Sequence, residues 1–542
     1  MTLVTFLFFT ALVAVLTWWI TRGKTTNTEE GFFLAGRSLT GVVIAGSLLL
    51  TNLSTEQLVG LNGGSFAEGL SVMAWEVIAG CSLVVLALFF LPRYLKSGIA
   101  TIPQFLENRY DAKVRALTTG IFIVAYMLIL LPFVLFSGAS ALAYMLGLPE
   151  MLGLGDTATI WVVVAFIAIV GSAYAIFGGL RAVAVSDTFN GVGLLVGGVM
   201  ITWFSIQFAS SDGQSISELF KEIKIENPDA FASLGKRGED VHWPTLFSGV
   251  LLLNFFYWCT NQQIIQRTFG AKNLAEGQKG VLLAAFFKIL APIILVIPGI
   301  VALHIANQNA DFNQALLNDA GDRDGTRVYG TLVRYVLPGS LTGFFAAVVV
   351  GSILSTFNSV LNSSATLFSL GVYKKVINVN ATTEEVVKSG RWCSAIVALC
   401  AAIGAPIIFV GKVDIFGHFQ KLNGVYFIPL FGAILVGMFN RRVDGNSAFI
   451  SIIVGLVIMV WGTFFSGDFI GSVFGSGYHF MGAVFLFLVV LQLALGRKMK
   501  RATPYVQEDA KLVDLTPWKP APVVGGILVA SVLLLYLFLA RG

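Results

Sequence analysis

Long apolar runs, separated by short polar or Gly- and Pro-containing stretches, recur along the whole chain. The runs are continuous rather than alternating, so the pattern predicts helices and not the strands of a barrel. A hydrocarbon core about 30 Å thick needs about 20 apolar residues per helix. Fourteen such helices are expected, near 3–21, 40–63, 69–92, 116–147, 158–177, 187–209, 246–266, 280–306, 338–372, 391–411, 413–438, 446–466, 478–496 and 521–540. Two connections, 210–245 and 307–337, are long. The first run lacks a basic leading segment and a small-residue cleavage site, so it reads as a retained helix rather than a signal peptide.

Composition sharpens this picture. The 542 residues are 56% hydrophobic and 12% charged, where a soluble protein carries about a quarter charged. The mean hydropathy is +0.82. An all-α membrane protein is expected, 1–542 forming one integral membrane domain with no soluble, kinase or enzyme domain. The longest piece between apolar runs near the C-terminus, 497–520, is too short for one. The net charge of +5 follows topology, so no nucleic-acid partner is implied, and no protein partner either. Most of the 35 Lys and Arg fall in one alternate set of short connections. Short-loop cations stay on the cytoplasmic side, which places both termini outside the plasma membrane, a bacterial inner membrane. The four cysteines lie in apolar segments and suggest no disulfide framework.

Polar residues are expensive in hydrocarbon and persist there for a reason. Four groups stand out. Thr51, Asn52, Ser54, Thr55, Glu56 and Gln57 interrupt the second run. A helix broken there would expose carbonyls that coordinate cations; a polar interhelical face is the plainer alternative. Glu76 stands alone among apolar residues, and Lys288, flanked by small residues, is its best candidate partner, in a structural ion pair or a substrate site. Asn254, Tyr257, Trp258 and Asn261 share one helix face. An aromatic platform beside amides suits a sugar, although Trp258 would also fit an interfacial belt. Last, Ser352, Ser355, Thr356, Ser359 and Ser363 form a hydroxyl stripe. It suits a monovalent hard cation, since calcium sites show more carboxylates, or serves helix packing.

No HExxH, P-loop or CxxC occurs, and the four histidines have no metal-ligand spacing. An enzyme and an ATP-driven pump are therefore not expected.

With these segments in view, the chain resembles the solute:sodium symporter family, and within it the bacterial sodium/galactose (sodium/glucose) cotransporter branch. The marks are GFFLAGRSL (31–39), NLSTEQLVG (52–60), IATIPQFLENRY (99–110), FGGLRAVAVSD (177–187), YWCTNQQIIQRT (257–268) and the hydroxyl-rich 351–366. RATPY and LTPWKP, near the C-terminus, look nearer still to an uncharacterised bacterial branch of symporters. The resemblance implies two inverted five-helix repeats with broken first helices, here 40–209 and 246–438, with 3–21 as an extra N-terminal helix and 446–540 as C-terminal helices. It implies sodium-coupled uptake of a hexose such as galactose or glucose by alternating access. The alternative is another small solute: a polyol, sugar acid, amino acid or carboxylate.

By position, the resemblance gives Asn52, Gln57, Glu76, Asn254, Tyr257, Lys288 and Gln420 to the substrate. Leu61, Trp75 and Phe416 would form an outer gate, and Tyr257 an inner cap. Sodium would take the carbonyls of Leu50, Leu53 and Ser352 and the hydroxyls of Ser355 and Thr356. Asp187, Asn358 and Ser359 fall at a second sodium site or exit. The chain departs from the branch at Ala79, where a serine contact is lost. Lys421, beside Gln420, would favour an acidic sugar derivative.

Overall fold

The computed structural model describes residues 2–21, 34–211, 213–236, 239, 241–318, 321–412 and 415–540. The side chains of 173–189 and of some others, Leu50 among them, lie outside the described ones. The helices used below are α1 (Thr2–Thr21), α2 (Gly41–Asn52), α3 (Thr55–Glu68), α4 (Ala74–Val85) and α5 (Ala112–Leu146). Helical backbone then runs over Asp156–Ala209, containing the apolar stretches α6 (Asp156–Ser172) and α7 (Asn190–Ala209). Next come α8 (Leu251–Thr260), α9 (Leu274–Leu290), α10 (Ile297–Gln308), α11 (Gly325–Val336), α12 (Gly339–Phe368) and α13 (Thr383–Phe409). The last four are α14 (Ile415–Phe439), α15 (Gly445–Phe464), α16 (Gly477–Lys498) and α17 (Ala521–Phe538).

All fourteen expected runs fall on helical backbone, but not as fourteen uninterrupted spans. Among the described residues nine helices are long and apolar enough to cross a membrane, or ten if the pair bent by 45° at Pro292 counts as one. The difference lies in the breaks. The run 40–63 is divided between α2 and α3, and 246–266 ends its first helix at Thr260. Gly69, with φ 72° and ψ −149°, terminates α3, a conformation that strongly favours glycine. The two long connections also carry helices, Ile216–Glu226 and α11. Both are amphipathic and short, so a membrane-length criterion passes over them.

The two breaks leave carbonyls without their usual donors, and the structure answers each. At the first, Leu53 adopts φ −71°, ψ 63°, and Ser54 is extended. The Ser54 N–H donates to the Asn52 carbonyl at 2.7 Å, so the Leu50 carbonyl loses its ordinary donor four residues on. At the second, Asn261 is extended and its side chain caps the short helix Gln262–Phe269. Tyr126 OH donates to Asn261 Oδ1, and Tyr94 OH meets the Cys259 carbonyl at 3.0 Å.

The hydroxyl-rich α12 runs through the middle of the bundle, packed on α1, α5, α6, α7, α13 and, at the first break, α2. Its residues from Ser352 to Leu367, apart from Leu354, are buried. One face of the molecule carries the two long connections; the other carries the Lys- and Arg-rich short ones. On that basic face, residues 500–518 form an extended strap rather than a domain. Arg501 and Tyr505 donate their N–H groups to the carbonyls of Arg442 and Arg441, and Ala510 does so to Lys96. Further along, Trp518 N–H donates to Gln278 Oε1 at 2.8 Å.

Candidate substrate and cation site

The dense polar run supplies the first break because Ser, Thr and Asn offer the backbone hydrogen bonds that compete with helix. Two niches form around it. Toward α12, the Thr356 hydroxyl donates to the Thr51 carbonyl at 3.2 Å, and the Ser352 hydroxyl reaches the Leu53 carbonyl at 3.4 Å. Ser355 is buried beside them. Carbonyl and hydroxyl oxygens thus converge without a carboxylate, and among the described residues no group of three or more His, Cys, Asp or Glu could hold a metal. This donor set fits a monovalent hard cation better than calcium or a transition metal. Of the expected sodium residues, Leu53, Ser352, Ser355 and Thr356 are brought together; the Leu50 side chain lies outside the described residues.

The second niche is a narrow polar cavity of about 30 Å³, room for about two waters in this closed arrangement. Lys288, from α9, is fully buried and donates to Glu76 of α4 and to Asn52 at the break. It also lies 5.4 Å from the ring centroid of Trp258. Asn52 and Glu76 line the cavity beside Gln57, Asn254, Tyr257 and Gln420, so six of the seven expected substrate residues surround one space. Lys288 supports it from behind. Asn254 donates to the Val250 carbonyl at 3.1 Å, and Tyr257 lines the same space as Asn52. Breaking the buried Lys288–Glu76 pair would strand a charge, although the pair itself adds little net stability.

Aromatic residues flank the cavity toward both faces. Trp75 meets Phe416 edge to face at 5.7 Å, with Tyr478 against its other side at 5.7 Å. Leu61 is buried nearby, one turn beyond Gln57 on α3. A Cβ on Gly60 would sit 2.4 Å from the Phe416 ring, so only glycine admits this closure. Toward the basic face, Tyr257 stands against Trp258 and Phe427, at 5.2 and 6.4 Å between centroids.

Several expectations change. Asn261 leaves the face it was expected to share with Asn254 and Tyr257, because α8 ends at Thr260. Trp258 is buried against Lys288, not placed in an interfacial belt. Lys421 does not line the cavity, which removes the geometric basis for an acidic sugar. Asn358 and Ser359 are buried on α12, where Arg267 donates to Ser359; the side chain of Asp187 lies outside the described residues. The cavity also takes Glu56, Asn423, Phe419 and Phe427, to which the sequence had given no role. Asn423 could have been found three residues after Gln420 on the same helix face. Glu56 lay hidden within its polar run.

Comparison with known proteins agrees with this arrangement. The model of the Sodium:solute symporter family matches residues 32–455. An uncharacterised symporter of Escherichia coli K12, YidK, is 41% identical over 534 residues, covering 98% of this chain and 90% of the relative. The sodium/glucose cotransporter of Vibrio parahaemolyticus is 29% identical over 464 residues, 83% of each chain. A solved structure of a sodium-coupled sialic acid symporter, captured substrate-bound and outward-open, superposes with a TM-score of 0.76 at 18% identity, over 93% of this chain and 99% of that one. The fold is therefore the symporter core of two inverted five-helix repeats with broken first helices, and the chain belongs to the sodium:solute symporter family.

Proposed function

We propose that the protein couples inward sodium movement to uptake of a sugar by alternating access. The observation that carries this reading is the position of Asn52. Its side chain lines the cavity and accepts from Lys288 behind it, while its neighbours Thr51 and Leu53 turn their carbonyls to the hydroxyls of α12. An ion held by those carbonyls and by Ser352, Ser355 and Thr356 fixes the break, and with it the residues that meet the solute. Binding of ion and solute is then cooperative. Trp75, Phe416 and Leu61 close the path from one face and Tyr257 from the other. Asn358, Ser359 and Asp187 lie on the ion's way inward or hold a second ion. The repeats are 40–209 and 246–438, and the basic face is cytoplasmic.

Amides, carboxylates and aromatic rings around one space suit the hydroxyls and C–H faces of a hexose. The relatives named sodium/glucose cotransporters support the same class. A polyol is the second reading, supported by relatives named sodium/myo-inositol cotransporters. The test is uptake of labelled galactose, glucose and inositol into proteoliposomes with and without an inward sodium gradient. Accumulation only with sodium supports the proposal. Uptake indifferent to sodium would leave a passive channel instead.

A further inference from the structure

Hydrogen-bond polarity around the cavity is fixed from behind. Tyr426, fully enclosed on α14, donates its hydroxyl to Asn423 Oδ1 at 3.3 Å. Asn423 Nδ2 in turn donates to Gln420 Oε1 at 3.1 Å. With its oxygen taken, Gln420 is left to present its NH2 group to the cavity. Across the space the polarity is opposite. Gln57 Oε1 is buried without a partner. Asn254 gives one N–H to the Val250 carbonyl, and its oxygen takes no donor from the described residues. Glu56 and Glu76 each have one carboxylate oxygen engaged, by Ser54 and Lys288, and a second to offer. The Lys288 ammonium already serves Glu76 and Asn52, and among the described residues no Lys or Arg lines the cavity.

We infer that this cavity selects an uncharged solute rich in hydroxyl donors and rejects its carboxylate analogue, and that Asn423 is the positioning residue that sets this polarity by holding the Gln420 amide with its NH2 group toward the solute. The inference rests on the cavity being the solute site proposed above. A carboxylate supplies acceptors only. It would satisfy Gln420, leave the oxygens of Gln57 and Asn254 without a donor, and meet the carboxylates of Glu56 and Glu76.

The test is sodium-driven uptake by the full chain in proteoliposomes, with competition by neutral sugars, neutral polyols, uronic acids and small carboxylates. Neutral solutes are expected to compete on the order of a hundredfold better than the matching carboxylates. A carboxylate that competes as well as its neutral parent overturns the inference. If no sugar competes but neutral polyols do and carboxylates do not, the sugar reading falls and the inference stands.

The role of Asn423 is read with sugars or polyols carrying fluorine in place of single hydroxyls, because fluorine accepts weakly and does not donate. In the native protein one position, the one facing Gln420, tolerates fluorine. In Asn423→Asp the carboxylate takes the Gln420 NH2, the amide oxygen turns to the solute, and that tolerance is lost. Asn423→Ser keeps a donor and keeps the tolerance; Tyr426→Phe weakens it. Sodium-induced quenching of tryptophan fluorescence verifies that each variant is folded. Equal loss for every analogue in all three variants would reduce Asn423 to a packing residue.

Discussion

At the scale of single residues, the proposed site separates ion from solute. Removing the Thr356 hydroxyl takes one oxygen from the ion niche, a contact worth about 1.4 kcal/mol. Thr356→Ala is therefore expected to raise the sodium concentration for half-maximal uptake about tenfold while sugar selectivity holds. Uptake lowered equally at all sodium concentrations would take Thr356 out of the niche. Lys288 behaves differently, because it neutralises a buried carboxylate. Lys288→Met should lower the yield of folded protein, since the stranded Glu76 costs about 3–5 kcal/mol. The pair Lys288→Met with Glu76→Gln should restore folding but not uptake; restored uptake would make the ion pair purely structural. Most of the residues that gather here were legible in the sequence, because a charge or a run of amides in an apolar segment has few bland explanations. Asn423 and Glu56 were given no role: spacing could have placed Asn423 beside Gln420 but not the direction of its hydrogen bond, and Glu56 lay within a polar run.

Among the elements, close approach decides what the helices can do. Gly299 on α10 faces α3 so tightly that a Cβ would lie 2.1 Å from Ser65 Oγ and 2.3 Å from the Asn62 carbonyl. Gly299→Ala is expected to destabilise by about 1–3 kcal/mol, read as a lower Tm of the purified protein. Gly120 on α5, with nothing near its Cβ position, is the matched control, and Gly120→Ala should leave Tm unchanged. Equal Tm for both variants would mean that α3 and α10 are not in this contact. Helix boundaries were the less legible part of the sequence. The polar run 51–57 marked the break between α2 and α3, whereas hydropathy drew 246–266 through its break, because a turn at Asn261 changes the backbone with little change in apolarity. The bend at Pro292 carried its own signal, and the amphipathic helix α11 hid inside a polar connection.

For the whole molecule, the expected output follows from the gradient. A potential of about 100 mV gives about 2.3 kcal/mol per charge, and a tenfold sodium ratio adds about 1.4 kcal/mol. One sodium per neutral solute therefore supports roughly 500-fold accumulation. Collapsing the sodium gradient with an ionophore should drain the accumulated solute; retention would point to another driving ion. That the chain is an all-α membrane protein was legible from composition and run length, because lipid tolerates so few architectures; the inverted repeats came only from the resemblance. The strap at 500–518 was not, since its bonds are backbone contacts between sequence-distant segments.

The gap between α2 and α3 also bears on any attempt to make this protein sturdier. An uninterrupted helix through residues 50–56 would recover backbone bonds that the native turn leaves to side chains. Selection for heat resistance alone would thus favour substitutions at Asn52, Ser54 or Thr55 that heal the turn, and the hardiest survivors would no longer carry cargo. In this chain, fragility at one turn is a working part.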